Sequence, residues 1–539
     1  MPNLLNSFGK VFSNRAFTGA LLFVTLFYVF EEWLFHSPQG NFYQILMTFR
    51  PPDEVRIGVL SGMASFVFLF LFVWAALSSS RGPQIIYVIL FTVASVVQYG
   101  FWKAVQRFMS SADLHIAAAT PLSTWKGAGS LFFDWRFILP VIAFIVLLAV
   151  WGGSQPWKAS LAKLGGILFV LITLSYAETF TNKNLNLGAS LPSFYQTITR
   201  YLLDNMLPSQ RETIQYHSPT TPQNNIVLVI DESIRGDHLS INGYTRETTP
   251  FLDALSQNND SFHNWGLAVA GATCSHPSNS LILTGVRPAL DAFDQTNLYP
   301  TVFQYAEAMG YFTTYMDAQT NTFWNGLTDS VVVYLDSWVK ARDLGNDIQS
   351  DFRAADRIVQ LVSAGTGNFI VLNKRGVHFL YEGSYPPDAA VWGPVPGEYT
   401  SQPELVTNPY DNGLHYNVNT FFERLLADPQ ILEHTIILYT SDHGQTLFEN
   451  NVSWLHCKST PQEATVPLFI LGRGLVIPGE PYSASHDNIL PTILDLMNVP
   501  ADQRLHVYAP SLLSPNATGF VDRFFFDGVL RLVDFPDHP

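Results

Sequence analysis

Hydrophobic positions along this chain follow two different patterns. In the N-terminal part they form long runs: residues 57–77 carry no charge over 21 positions, and residues 84–102 none over 19. At the rise of an α-helix, such runs match the hydrocarbon thickness of a bilayer. Weaker runs lie at 16–35, 137–153 and 160–177. The first ends at Glu31-Glu32-Trp33, an interfacial boundary, and the last starts beside Lys163, whose ammonium can reach the headgroups. The pattern predicts five spanning helices over residues 1–182, with the two chain ends on opposite sides of the membrane. Basic loop residues orient the bundle weakly. Lys10, Arg15, Arg81, Lys158 and Lys163 on one side are nearly balanced by Arg50, Arg56, Lys103, Arg107 and Lys126 on the other.

Residues 183–224 are a bridge. Phe194, Ile198, Tyr201 and Leu202 recur at helical spacing within Ser193–Met206, a helix suited either to a membrane surface or to packing on a soluble domain. Residues 218–225 read as a linker. From 225 to 539 short apolar segments alternate with amphipathic ones. Strands are predicted at Asn225–Ile230, Tyr311–Met316, Phe369–Leu372, Thr435–Tyr439 and Pro467–Leu471. Helices are predicted at Thr301–Ala308, Arg353–Ala364, Asp411–Leu426 and Asn488–Met497. The expected architecture is a multi-pass α-helical membrane domain followed by an α/β domain with a mainly parallel sheet flanked by helices. Ligands of such sheets gather at the carboxyl ends of the strands.

Charge separates the same two regions. Residues 1–204 carry 13 Lys+Arg and 8 Asp+Glu, a net of +5, whereas the remainder carries 16 and 36, a net of −20. So acidic a domain is no nucleic-acid binder by bulk electrostatics. The only cysteines are Cys274 and Cys457, which exclude a disulfide scaffold and a zinc–thiolate cluster. An oxidising compartment would permit a bridge between them, and two free thiols are equally compatible with the sequence.

Three predicted strands run into polar residues of the kinds that bind metals. Asn225–Ile230 leads to Asp231-Glu232-Ser233, Thr435–Tyr439 to Ser441-Asp442-His443-Gly444, and Phe369–Leu372 to Lys374-Arg375-Gly376-Val377-His378. Each alone has a plain explanation, such as an acid capping the next helix. Three on separate strands of one sheet point to a shared site, because buried carboxylates need a partner for their charge. A fourth segment, Thr273-Cys274-Ser275-His276-Pro277-Ser278-Asn279, places hydroxyls at a predicted helix start, where free N–H groups favour an anion.

Ser275-His276-Pro277-Ser278-Asn279 followed by Leu283-Thr284-Gly285 resembles the sulfatase signature Cys/Ser-x-Pro-Ser-Arg…Leu-Thr-Gly. Asn279 stands where that signature has Arg, which puts oxidation of the nucleophile to formylglycine in doubt. An unmodified hydroxyl is what the phosphoethanolamine and phosphoglycerol transferase branches of the alkaline-phosphatase/sulfatase superfamily use. Ile230-Asp231-Glu232-Ser233-Ile234-Arg235, Asn242-Gly243-Tyr244-Thr245-Arg246, Tyr410-Asp411-Asn412, Ser441-Asp442-His443-Gly444, Trp454-Leu455-His456 and Ser485-His486-Asp487-Asn488 resemble segments of the phosphoethanolamine transferases, in the same order.

That resemblance implies Glu232, Asp442 and His443 as metal ligands with the nucleophile's oxygen as a fourth. It implies zinc, and the donor set also suits manganese. It implies His378 and His456 as the histidines that hold the phosphate and the leaving group. Ser275 is preferred as nucleophile because Ser278 follows three positions later. Thr273 remains the alternative, having the residue type usual in the family. The disulfide cysteines characteristic of the family are absent, so bracing of this loop must differ. The implied activity transfers phosphoethanolamine from phosphatidylethanolamine to an envelope glycan or lipid A, at a bacterial inner membrane with the catalytic domain in the periplasm. A phosphoglycerol transferase and a sulfatase- or phosphodiesterase-type hydrolase are the alternatives on the same scaffold.

Overall fold

A computed structural model of the chain describes residues 15–34, 52–105, 108–109, 113–114, 133–153, 163–167, 189–206, 211–257, 261–289, 292–321, 329–393, 403–449, 455–475, 477, 483–514, 523–528 and 532–536. The chain divides into two compact units, Met1–Pro208 and Ser209–Pro539. The division falls inside the 183–224 stretch read as a bridge.

The first unit contains the helices Arg15–Leu34, Pro52–Ser78, Arg81–Val105, Leu139–Trp151 and Ser190–Met206. They pack around an aromatic core in which the Phe91 and Phe144 rings stack with centroids 4.6 Å apart. Buried Glu31 accepts from the Tyr99 hydroxyl at 2.9 Å and from the Ser190 backbone N–H at 3.2 Å. A carboxylate thereby caps the start of the helix Ser190–Met206, where N–H groups lack partners within the helix. Ile85, Ile89, Val93 and Val97, spaced four apart, are 62%, 55%, 46% and 39% exposed, so an apolar stripe faces outward. Among the described residues, one helical stretch, Arg81–Lys103, is long and apolar enough to cross a membrane, and Met63–Ser78 and Trp135–Trp151 are shorter apolar helices. Of the predicted run 160–177, all but 163–167 lies outside the described residues.

The second unit is built on a sheet of β1 (Asn225–Asp231), β2 (Phe262–Val269), β3 (Phe312–Asp317), β4 (Ser337–Val339), β5 (Asn368–Asn373), β6 (Thr435–Ser441) and β7 (Thr465–Leu471), in the order β2-β7-β6-β1-β5-β3-β4. Strands β6, β1, β5, β3 and β4 are parallel neighbours, and β7 pairs antiparallel with both β6 and β2. The sheet is therefore mixed, with its central strands parallel. A separate hairpin joins β8 (Phe524–Phe526) and β9 (Leu532–Asp534). The central strands are buried at every position and apolar between their polar ends, as expected for strands covered on both faces.

All five predicted strands are present. Strand β2 escaped the pattern because a bulge between Asn264 and Leu267, with Gly266 at φ 70°, breaks its alternation. The predicted helix Asp411–Leu426 starts earlier, at Pro403, and widens into a π-turn at His415–Asn419 before Thr420–Leu425.

Candidate active site

Parallel pairing fixes the site. Asp231 of β1 lies opposite Ser441 of β6, so the residues just past both strands, Glu232 and Asp442, emerge side by side at the carboxyl edge. Ser233 turns the chain there at φ 63°. The loop after β5 passes so close that a Cβ on Gly376, itself at φ 53°, would stand 2.5 Å from Asp231 Oδ1 and from the Glu232 carbonyl. Only glycine fits there. On the other side, the helix Ser275–Thr284 starts at the cluster.

One ligand atom each from Glu232, Asp442 and His443 lies within 4.8 Å of the others, and all three residues are buried. His443 Nε2 is 3.7 Å from Glu232 Oε1 and 3.5 Å from Asp442 Oδ2. Ser275 Oγ is 3.1 Å from His443 Nε2 and 3.3 Å from Glu232 Oε2. His443 Nδ1 sits 2.7 Å from the Gly444 carbonyl, a pure acceptor. Nδ1 thus carries the ring proton and the Nε2 lone pair faces the carboxylates.

The carboxylates are held from behind. Asp442 Oδ1 accepts backbone N–H bonds from Ser233 at 3.0 Å and His443 at 2.7 Å. Glu232 Oε1 accepts from the Ser233 hydroxyl at 2.5 Å, and Oε2 from Gln319 Nε2 at 3.0 Å. Gln319 Nε2 also donates to the Lys374 carbonyl at 2.7 Å. Beneath them Lys374 Nζ bonds Asp231 Oδ2, and the Tyr439 hydroxyl donates to the same oxygen at 2.8 Å. Lys374 also donates to the Asn417 carbonyl of the π-turn at 2.8 Å.

Electrostatics leave a place for a cation. Burial, and then the neighbouring Asp442 carboxylate, push the Glu232 carboxyl well above the usual carboxylate range. Asp442 Oδ2 is buried with no hydrogen-bond partner. Two buried carboxylates, one with an orphaned oxygen, facing an imidazole Nε2 and a hydroxyl form a donor set that fits a divalent metal.

The other predicted residues are placed as follows. The His456 ring is half-buried with its centroid 4.4 Å from that of His443, and the exposed His378 ring lies 5.7 Å beyond His456. Three imidazoles therefore line one path away from Ser275. The Thr273 hydroxyl instead donates to the Lys458 carbonyl at 2.8 Å, and the structure joins Cys274 to Cys457 in a disulfide. Ser278 Oγ donates to the Asp442 carbonyl at 2.5 Å. His486 is a buried support: the Gly271 N–H donates to its Nδ1 at 3.1 Å, and burial pushes its pKa down to about 3. Trp454 lies outside the described residues.

Two quoted motifs have a structural use that the sequence did not disclose. Asp411, fully buried, takes His238 Nδ1 at 2.9 Å, the Tyr244 hydroxyl at 2.9 Å and Arg246 Nη1 at 2.8 Å. The Tyr410 hydroxyl donates to the Ser233 carbonyl at 2.7 Å. The Asn-Gly-Tyr and Tyr-Asp-Asn segments thus lock the loop after β1 onto the helix Pro403–Leu414. Gln319 and Tyr439 were missed altogether. Gln319 lies just past the end of β3, where the strand-end rule that located Glu232 would also have found it.

Residues 224–499, slightly more than half of the chain, match the Sulfatase family, and the chain belongs to that family. The Kdo(2)-lipid A phosphoethanolamine 7''-transferase of Escherichia coli (strain K12) is 25% identical over 272 residues, 49% of this chain and 46% of that protein. The chain thus spans about half the length of the curated relatives it matches. In fold it is similar to the integral membrane protein lipooligosaccharide phosphoethanolamine transferase A (EptA) of Neisseria meningitidis, with TM-score 0.59 and 16% identity over 90% of this chain and 95% of that one. It is also similar to the C-terminal periplasmic domain of EcEptC from Escherichia coli in complex with Zn, with TM-score 0.50 and 19% identity over 61% of this chain and 98% of that one.

Proposed function

We propose that this protein is a metal-dependent transferase that moves phosphoethanolamine from phosphatidylethanolamine to an envelope glycan or lipid A through a phosphoseryl intermediate. The observation that carries this reading is the meeting of Glu232, Asp442 and His443 within 4.8 Å, with Ser275 Oγ 3.1 Å from His443 Nε2. Relatives named as phosphoethanolamine transferases support the transferred group.

Glu232, Asp442, His443 and Ser275 would hold the metal. Zinc suits the mixed carboxylate–imidazole set, and a fold neighbour has been solved with Zn. A divalent cation bound there would lower the pKa of the Ser275 hydroxyl and polarise a phosphoryl oxygen. Ser275 gives up its hydroxyl proton to solvent, its Oγ attacks the donor's phosphorus, an O–P bond forms, and the bond to the diacylglycerol oxygen breaks. His456 or His378 donates the proton that oxygen needs. An acceptor hydroxyl, whose proton passes to the histidine that gave one up, or an acceptor phosphate oxygen then attacks the same phosphorus, the Ser275 O–P bond breaks, and Oγ takes back a proton from solvent. Thr273 is the less favoured nucleophile, because its hydroxyl is committed to the Lys458 carbonyl.

The first unit is read as a five-span membrane domain of a bacterial inner membrane, with the catalytic unit in the periplasm. The outward apolar stripe of Ile85, Ile89, Val93 and Val97 supports a lipid-facing surface. Covalent linkage to such a unit tethers the catalytic unit to the bilayer that holds the donor. The test incubates purified full-length protein with labelled phosphatidylethanolamine, with and without a chelator, followed by mass spectrometry of residues 271–285. A phosphoethanolamine adduct on Ser275, abolished by the chelator, is expected. Absence of diacylglycerol release from metal-loaded protein would refute the proposal, and an adduct on Thr273 would reassign the nucleophile.

A further inference from the structure

The Cys274–Cys457 disulfide joins the residue before Ser275 to the residue after His456, across 183 positions of sequence, with Cα atoms 4.9 Å apart. It does not act alone. The Cys457 N–H donates to the Thr273 carbonyl at 2.9 Å, and the Thr273 hydroxyl donates to the Lys458 carbonyl at 2.8 Å. Thr273 N–H in turn donates to Phe526 O at 2.9 Å, and Phe526 N–H to Gly271 O at 3.0 Å, so the hairpin strand β8 backs the segment. Residues 271–274 are thereby clamped between β8 and residues 457–458.

Backbone geometry shows why His456 needs that clamp. Leu455 and Cys457, on either side of it, have φ of 103° and 65°. Residues with a Cβ hold such angles only where the surroundings dictate them. On one side the dictation comes from a two-way bridge between Leu455 and Thr446, with N–H···O distances of 3.2 and 3.0 Å. On the other side it comes from the disulfide and the Thr273 bonds. The His456 ring is fixed between these anchors, 4.4 Å from the His443 ring.

We propose that the Cys274–Cys457 disulfide and Thr273 form a positioning brace that holds His456 at the proper distance from Ser275 to protonate the departing oxygen. This rests on the transferase reading above. The brace matters only for leaving groups that need a proton. A diacylglycerol alkoxide is strongly basic and leaves poorly without one, whereas a nitrophenolate leaves as the anion.

The test compares two donors on the full-length, metal-loaded protein in detergent: phosphatidylethanolamine and 4-nitrophenyl phosphoethanolamine. Each is assayed with oxidised protein, with protein reduced by a trialkylphosphine, and with Thr273→Val. Free thiols are counted by alkylation, metal is quantified in every sample, and thermal unfolding confirms that the reduced protein is folded. Reduction is expected to slow diacylglycerol release by at least about tenfold, a partial loss of the roughly 10²–10⁴-fold that a positioned general acid supplies. Nitrophenolate release should change by less than about threefold on the same grounds. Thr273→Val should show the same selectivity with a smaller loss. Equal rates before and after reduction, or equal losses on both donors, overturn the brace. Abolition of both reactions by Thr273→Val overturns it too, because Thr273 would then be the nucleophile. Oxidised protein that turns over the nitrophenyl donor but not the lipid contradicts the lipid-donor reading itself, a result separate from any effect of reduction.

Discussion

Lys374→Met removes the cation beneath the site. Both Lys374 and its partner Asp231 are completely buried. The lysine also donates to Asn417 O at 2.8 Å and lies 4.3 Å from the Phe421 ring centroid. Methionine fills the stem's volume but leaves the Asp231 carboxylate with the Tyr439 hydroxyl at 2.8 Å and the Glu232 N–H at 3.0 Å. Removing one partner of a buried pair costs about 3–5 kcal/mol, because the other charge stays in a medium that does not solvate it. At roughly 2 °C per kcal/mol for a unit of this size, Tm should fall by about 6–10 °C. The loss should depend on pH. Burial already holds the Asp231 carboxyl up at about 6, and losing the nearby Lys374 charge, which lowers it, raises it further above the unfolded value. The variant's stability is then greatest at low pH and is lost as pH rises through the raised pKa. Thermal unfolding of the full chain, followed by intrinsic fluorescence at pH 5 and pH 8, reads both effects. Asp231→Asn combined with Lys374→Met should recover most of the loss at pH 8. A Tm within 2 °C of wild type, or a double variant no more stable than the single, would refute the reasoning.

Other variants probe the remaining contacts. Gln319→Leu takes a hydrogen bond from Glu232 Oε2 and should weaken metal binding by about 10–100-fold in a chelator competition. Ser275→Ala should retain the metal yet form no phosphoethanolamine adduct, as mass spectrometry of residues 271–285 would show. Reducing the disulfide, which closes a 183-residue separation, should cost up to about 5 kcal/mol in a urea titration, since long loops gain most from closure. Burial pushes the Asp317 carboxyl from 3.8 to about 6. Its contribution to stability is complete below the unfolded pKa and lost as pH rises through 6. Asp317→Asn should therefore gain on wild type by up to about 3 kcal/mol between pH 4 and 8, read from urea midpoints.

The strands that carry the site were legible because they are continuous apolar runs ending in charge. Asn225–Ile230 into Asp231-Glu232 and Thr435–Tyr439 into Asp442-His443 announce both an interior and an edge, and their parallel pairing follows from the alternation with helices. What those runs could not disclose is contact between distant segments. The sequence names both Thr273 and Ser275, but only the fold turns one hydroxyl to the Lys458 carbonyl and the other to His443. The disulfide is equally invisible, because two cysteines 183 positions apart carry no local pattern. Lys374 and Asp231 read as site residues from their neighbours, yet they pair beneath the cluster. Strand β2 was hidden by its bulge, and the first turns of the helix Pro403–Leu414 by Pro409, a residue that normally interrupts a helix.

Zinc K-edge absorption on the zinc-loaded full-length protein tests the assembled site most directly, alongside metal analysis of the same sample. One zinc per chain is predicted, in a shell of oxygen and nitrogen with the multiple scattering of a single imidazole and no sulfur. Glu232→Gln and Asp442→Asn should each strip that zinc. Sulfur scattering, two or more imidazoles, or full occupancy in both variants would contradict a site built from Glu232, Asp442, His443 and Ser275.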